Sequence, residues 1–530
     1  MEAAMQKRNV SKYVLALLTL GGVGSWGCAA DAGGPDDAVG ANAEELGHWS
    51  AWRERQESNA RGEELWFDAT FGGEKFFAWL GSPAAGDRQL PVGFEAVMNT
   101  PRAQRFDTWG VINDPDCEAN PAGGMDVCDD PQATGVVGMR RTPIGGGAYL
   151  YGITCASCHA GFDPNRPPAD PNEPSWDNIH PTIGNMYLKT GAIFAANLPP
   201  TDLRRLMFAS WPEGTVDTTA LFNDGIMNPG AVTAFWNHDF RPRFDNGTGE
   251  MDMRNGQGGE DDLGGDVAAL RVYTNIGACF QECVVPAMAA DRPISIDECR
   301  ATCADFPTEA EIGDLVNFLA SVYAPQYAGR PNWLKYGRGR QVFQRNCASC
   351  HDNTGWQHFV LSNDEVNPLA DDPVNATNAC RVLTSNWEEG NIWAEFSSPL
   401  YKQRIADGDR GYRSMPLVGI WSTSPFMHNN SIGVRAPADA TQAERAAAFE
   451  ASMNELLSTE RVPQVHVTPM DIPLGDGSSL PAGTPLHYLF SRAPDGSLLC
   501  DDFVENRGHY FGADLSHRDK SALIEYLKFQ

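Results

Sequence analysis

The sequence predicts a mainly α-helical protein built from two similar units with long, loop-rich insertions. Three observations predict this. The pentapeptide Cys155-Ala156-Ser157-Cys158-His159 recurs letter for letter as Cys347-Ala348-Ser349-Cys350-His351. Each copy has the same lead-in, with Gly147, Tyr151 and Cys155 spaced four apart, as are Gly339, Phe343 and Cys347. Each is followed, after a long variable stretch, by an apolar helical face behind a capping pair. Thr308 and Glu311 precede Ile312, Leu315, Val316 and Leu319, and Ser516 and Asp519 precede Leu523, Ile524 and Leu527. Recurrence at i, i+3, i+4 and i+7 marks one face of a helix, and a Ser or Thr three residues before an acid satisfies first-turn amides.

The pentapeptide is the attachment signature of a c-type haem. Two thiols three residues apart reach the two vinyl groups of one porphyrin, and the next residue presents an imidazole to the iron. The sequence therefore predicts two covalently bound haem c groups, attached through Cys155, Cys158, Cys347 and Cys350, with His159 and His351 as proximal iron ligands. A redox or zinc-binding C-x-x-C would need the following His by coincidence, twice. In a helical lead-in, the glycine would let a second helix cross closely and the aromatic would pack beside the porphyrin. Helix, C-x-x-C-H, variable middle and closing helix make the cytochrome c plan with its terminal helices crossing. The fold class expected is mainly α, with two cytochrome c-like haem domains. The repeated units run over about 140–325 and 331–530, the first inside an N-terminal domain at 45–330.

Upstream, Lys7, Arg8 and Lys12 precede an apolar run from Tyr13 to Leu20 and small residues ending at Gly27-Cys28. That is an export signal over 1–28, with Cys28 placed for lipid attachment. Ser25-Trp26-Gly27 lacks the usual Leu three residues before the Cys, so ordinary cleavage slightly later is the alternative. No other stretch is apolar for the roughly 18 residues that a membrane helix needs. The expected location is periplasmic or at the cell surface, as an outer-membrane lipoprotein if Cys28 is lipidated. Residues 29–44 are Ala, Gly, Asp and Pro with almost no large apolar side chains, the composition of a disordered tether. From there to about 150 the chain reads as loops, with a short helix around Glu64 to Leu80.

A net charge of −29 over 530 residues argues against nucleic acid, which requires basic patches. It suits a basic partner such as a small electron-transfer protein, and it is equally the charge of a well-solvated surface. Of 13 cysteines, four belong to the haem motifs and Cys28 to the signal. The remainder is even, as a disulfide framework in an oxidising compartment would be. Cys117 and Cys128 bracket one loop. Cys279, Cys283, Cys299 and Cys303 form two C-x3-C pairs in a helical hairpin at 275–305. Antiparallel helices there would join Cys279 to Cys303 and Cys283 to Cys299, a four-Cys zinc site being the alternative. Cys380 and Cys500 are left for each other. The polar, Gly-rich stretch 244–266 reads as a solvated loop, or as a calcium site built from Asp and backbone oxygens. Ala440 to Leu457 reads as a helix capped by Thr441 and Glu444.

The stretch from Met415-Pro416-Leu417 through Trp421 to Pro425-Phe426-Met427-His428-Asn429-Asn430-Ser431 resembles a signature of the di-haem cytochrome c peroxidases and their relatives. Asn430 stands where that signature usually has Gly. Asn506-Arg507-Gly508-His509-Tyr510-Phe511-Gly512 and Trp211-Pro212-Glu213-Gly214-Thr215-Val216-Asp217 are similar to stretches of the rubber oxygenase branch. The resemblance covers most of the chain from about 140 onward through short motifs. It implies that His509 is the distal ligand of the C-terminal haem, completing a bis-His, electron-storing site. The N-terminal haem would be the reactive one. His428 would stand close to the haems as a propionate partner or orienting group, and Trp211 near the reactive haem or between the two. His180 is a rival for the distal position of the N-terminal haem.

These readings imply an exported di-haem oxidoreductase that activates peroxide or dioxygen, with a small electron-transfer protein or an organic substrate as partner. The alternative is a non-catalytic electron-transfer cytochrome with both irons closed by protein ligands, the extra one coming from His180, His238, Met186 or Met227.

Overall fold

A 34-residue helix, α1 (Pro35–Asp68), sets the frame for the first half of the chain. In the computed structural model, residues 35–217, 229–236, 250–252, 282–283, 285–290, 299, 301–303, 307–351, 360–362, 402–404, 411–413, 417–427, 429–473, 477–490, 497 and 506–530 are described. They are mainly helical, and every sheet among them is a two-stranded piece.

α1 begins inside the stretch expected to be a tether, so helix replaces disorder from Pro35 onward. The local chemistry permits this. Proline is well tolerated in a first helical turn, and Ala38, Ala41, Ala43, Glu44 and Glu45 are good helix formers. The other end of the helix is docked, with Trp66 fully buried and Phe67 nearly so.

What docks it is the expected closing helix, α4 (Glu309–Ser321), capped by the reciprocal Thr308–Glu311 pair. The two cross at Gly62, where a Cβ would be driven into the Asp314 carbonyl and lie 2.7 Å from the Phe318 Cβ. Ser58 Oγ and Arg61 Nε donate to the Asp314 carboxylate at 2.5 and 2.7 Å. The same arrangement returns in the second half. Helix α5 (Trp333–Asn346) crosses α8 (His517–Leu527), the latter capped by Ser516. The crossing is at Gly339, where a Cβ would run into the Ala522 carbonyl and lie 2.7 Å from the Tyr526 Cβ. Asp314 and Ala522 each stand the same distance past their caps, and an aromatic, Phe318 or Tyr526, follows each by one helical turn.

One expectation fails here. The lead-in to the first pentapeptide is an antiparallel hairpin of β1 (Met139–Gly145) and β2 (Ala148–Ile153). Gly145, Gly146 and Gly147 have φ of 92°, 62° and 81°, which closes a hairpin and ends a helix. The counterpart of Gly339 and Phe343 is Gly62 and Trp66, also one turn apart. An insertion separates them from the first motif. It contains α2 (Gly73–Leu80), the Cys117–Cys128 disulfide and a buried ionic cluster. There Arg102 and Arg105 both donate to Asp126, at 2.8 and 3.0 Å. The helix that crosses α4 is therefore α1, not the lead-in at 147–155.

The helix α7 (Gln442–Leu456) carries the expected Thr441–Glu444 capping box. Its Phe449 and Met453 pack with Phe343, Trp421, Phe426 and Tyr526 into the core of the second half. Cys283 and Cys299 are bonded as expected, and Cys303 is disulfide-bonded. Cys28, Cys279, Cys380, Cys500 and the signal segment lie outside the described residues, as does 244–266 apart from 250–252, which pairs in parallel with 402–404. No helix among the described residues is long and apolar enough to cross a membrane.

Candidate functional site

The first motif forms one helical turn, α3 (Ala156–His159), pinned from both sides. Thr154 N–H donates to Gly138 O at 2.8 Å, and Gly184 and Asn185 N–H donate to the carbonyls of His159 and Cys158 at 2.8 and 2.7 Å. His159 Nδ1–H donates to Thr233 O at 2.8 Å, which fixes the tautomer and leaves the Nε2 lone pair for a metal. Its ring sits between Phe235 and Trp66, at 4.6 and 5.9 Å between centroids. Burial pushes its pKa down to about 4, so the ring is neutral at physiological pH. Burial also pushes the Cys155 thiol up to about 12 and the Cys158 thiol up to about 11, and the two are not bonded to each other. A neutral imidazole beside two neutral, reduced thiols suits addition of S–H across porphyrin vinyls.

His180 is buried with both ring nitrogens engaged. Nδ1 accepts from Thr182 N–H at 3.2 Å, so Nε2 carries the proton and donates to Tyr323 O, also at 3.2 Å. It offers no lone pair to an iron.

In the second motif, Cys347 closes α5 through its N–H to Phe343 O at 2.8 Å, and α6 (Ala348–His351) follows. The Cys350 side chain lies outside the described residues. The His351 ring faces that of His509, the centroids 6.1 Å apart and the planes inclined at 60°. Two imidazoles bound to one metal from opposite sides, each through a bond of about 2.0–2.1 Å, have centroids about 6 Å apart. His509 sits at φ 52° after Gly508 at φ 86°. Its Nδ1 is buried without a hydrogen-bond partner. Burial, then the nearby His351 and Arg461, bring its pKa down to about 4, so it too is a neutral donor. The donor set fits a haem iron closed on both faces. Among the described residues no three His, Cys, Asp or Glu side chains converge on one point, as a structural zinc or calcium site would need.

Trp211 is 7% exposed, with Phe194 and Phe208 edge-on at 5.7 and 5.0 Å. It belongs to the aromatic core that also holds Cys283 and Cys299, and its indole N–H is buried without a partner. The loop it begins meets the His428 segment. Asn430 Nδ2 donates to the Glu213 and Gly214 carbonyls at 3.1 and 3.2 Å, and Arg435 pairs with the Glu213 carboxylate. Asn430 has φ 56°, a left-handed conformation that Asn tolerates better than other side-chain-bearing residues. That accounts for Asn where the resembling signature has Gly. His428 itself lies outside the described residues.

Sequence reading gave no role to three groups. Trp236 and Trp421, each 1% exposed, join the halves, Trp236 Nε1–H donating to Val418 O and Trp421 Nε1–H to Pro325 O. Phe235 braces His159, and Arg461 cages the His509 loop. None carries a periodic signal. No protein-family model matches the chain, and no curated protein matches it.

Proposed function

We propose that the chain is an exported di-haem c-type cytochrome oxidoreductase with cytochrome c-like units at 45–330 and 331–530. The observation that carries the reading is the approach of His509 to His351, 6.1 Å between rings, at the second of two identical attachment motifs. Each haem c would supply one-electron chemistry and, where one axial face is open, activation of peroxide or dioxygen.

His351 and His509 would hold the C-terminal iron between two neutral imidazoles, the ligation of an electron store. Cys347 and Cys350 would tether that haem. Cys155 and Cys158 would tether the other, with His159 as its proximal ligand. Thr233 orients His159 and makes it a better donor by accepting from Nδ1. Engagement of both His180 nitrogens removes one rival ligand and so supports an open distal face at the N-terminal haem as the reactive one, His238 and Met227 lying outside the described residues. The paired helix crossings at Gly62 and Gly339 support the cytochrome c-like plan. An electron donor or organic substrate would be the partner, and export would follow from residues 1–28 with Cys28 as a lipid site. Trp211 near the reactive haem or between the two, and His428 as a propionate partner or orienting group, would act from the loop and the segment joined by Asn430 and Arg435.

The absorption and electron paramagnetic resonance spectra of the oxidised protein test this. We expect one high-spin and one low-spin haem, carbon monoxide or cyanide binding at one site, and conversion of the low-spin haem to high-spin in His509→Ala. An unchanged spectrum in that variant refutes the ligand assignment. Two low-spin haems that bind neither ligand would leave an electron carrier instead.

A further inference from the structure

We infer that Arg461 is a positioning residue that sets His509 on the iron it is proposed to ligate, an inference that rests on the bis-His reading above. One guanidinium collects the carbonyls of two separate elements. From the C-terminal turn of α7 it takes Leu456 O at 2.6 Å through Nη2 and Glu455 O at 3.4 Å through Nε. From the ligand loop it takes Asn506 O at 3.0 Å and Gly508 O at 2.5 Å through Nη1, and His509 O at 3.1 Å through Nη2. Its face lies 4.3 Å from the centroid of the Tyr510 ring. The loop therefore presents the carbonyls on both sides of the His509 peptide to one rigid fork.

That matters because of the backbone at this point. Gly508 and His509 are consecutive left-handed residues, φ 86° and 52°. Glycine adopts that conformation freely, but histidine does so only where its surroundings impose it. The carbonyls gathered by Arg461 are what imposes it. A second tie acts in the same place. Asn506, 4% exposed, donates from Nδ2 to Val462 O at 2.7 Å and accepts from Gln464 N–H at 3.3 Å. Arg461 and its neighbours thus clamp the loop from one strand of chain. Lysine could supply the charge but not the planar fork that serves several carbonyls at once.

The test is the spectrum of the full-length haem-loaded protein carrying Arg461→Gln, beside His509→Ala and wild type. We expect Arg461→Gln to lose most of the low-spin signal of one haem, to gain carbon monoxide binding at that haem, and to leave the other unchanged. The midpoint potential of the affected haem should move with it. Should Arg461→Gln not accumulate, Arg461→Lys and Asn506→Ala are read in the same way. A lowered melting temperature with an unaltered low-spin signal would make Arg461 a helix cap only and overturn the inference. If His509→Ala converts a haem and the Arg461 variants do not, the inference alone fails. If His509→Ala changes nothing, the bis-His reading fails with it.

Discussion

At the scale of single residues, the buried histidines differ in what their nitrogens are given to do. His159 has one nitrogen committed to Thr233 O and one left over, whereas His180 has both committed. The C-x-x-C-H motif marks His159 in the sequence, but no motif says what the nitrogens of His180 are given to do. Each is followed within a few residues by a glycine, and each lies among aromatics. The difference comes from which carbonyls the fold brings up, and that is invisible in a sequence. The same bonding makes His180 a source of pH dependence. Burial lowers its pKa from the ordinary 6.5. Protonating it would set a second N–H against the Thr182 amide that its Nδ1 accepts from. The unfolded chain therefore binds a proton that the folded one resists, and stability rises with pH across the window below 6.5. On acidification it falls from about pH 6.5 downward until the lowered folded-state pKa is reached, by at most about 1.4 kcal/mol per pH unit for this one proton. Denaturant unfolding between pH 7 and 5 should show that slope. His180→Asn, which keeps an acceptor near Nδ1 but cannot titrate, should reduce it by the share of one proton, His466 being lowered by burial as well. An unchanged slope would mean that other groups carry the acid sensitivity.

At the scale of elements, what was legible was local. The caps at Thr308, Thr441 and Ser516 and the apolar faces behind them appear where residue chemistry places them, because a cap and its first turn are decided within four residues. The lead helix of the first unit was not legible. Gly147, Tyr151 and Cys155 have helical spacing by coincidence inside a glycine-closed hairpin, while the pair that does the packing, Gly62 and Trp66, is separated from the motif by a folded insertion. The N-terminal part of α1 was hidden by a composition that suits a tether as well as a helix. The crossings make a sharp prediction, because α5 carries its own control. A Cβ at Gly339 would collide with the Ala522 backbone, whereas one at Gly337 meets nothing within 4 Å. Gly337→Ala should stabilise the protein by about 0.5–1 kcal/mol through helix propensity. Gly339→Ala should destabilise it by about 1–3 kcal/mol, since two backbones would have to separate. Thermal melts of the two variants should therefore shift in opposite directions, and a shared direction would contradict the crossing.

At the scale of the molecule, the two halves are joined among the described residues both by apolar packing, with Leu486 in the core of Trp79 and Phe208 and Ala438 in that of Trp66, and by polar contacts along residues 417–445. Trp421 reaches back to Pro325 O and Trp236 reaches forward to Val418 O, at 2.8 and 3.1 Å. Tyr187 Oη donates to Ala436 O at 2.8 Å, and Arg435 and Asn430 grip the Glu213–Gly214 turn. Trp421 is the centre of this strut. It is 1% exposed, packs against Tyr327 at 5.3 Å and belongs to the core of the second half. Its indole N–H satisfies a carbonyl of the segment that follows α4. Truncating it to Ala removes a large buried ring, a change that costs about 3–5 kcal/mol. It also leaves the Pro325 carbonyl without its donor, which adds about 1–3 kcal/mol if water cannot replace it. Trp421→Phe keeps most of the packing and loses only the N–H. If the strut makes the halves melt together, calorimetry of the wild type should show one transition. Trp421→Ala should show two, and Trp421→Phe one transition at a lower temperature. A single transition in all three proteins would mean that the coupling runs through the other contacts between the halves, Arg435–Glu213 and the packing of Leu486 among them.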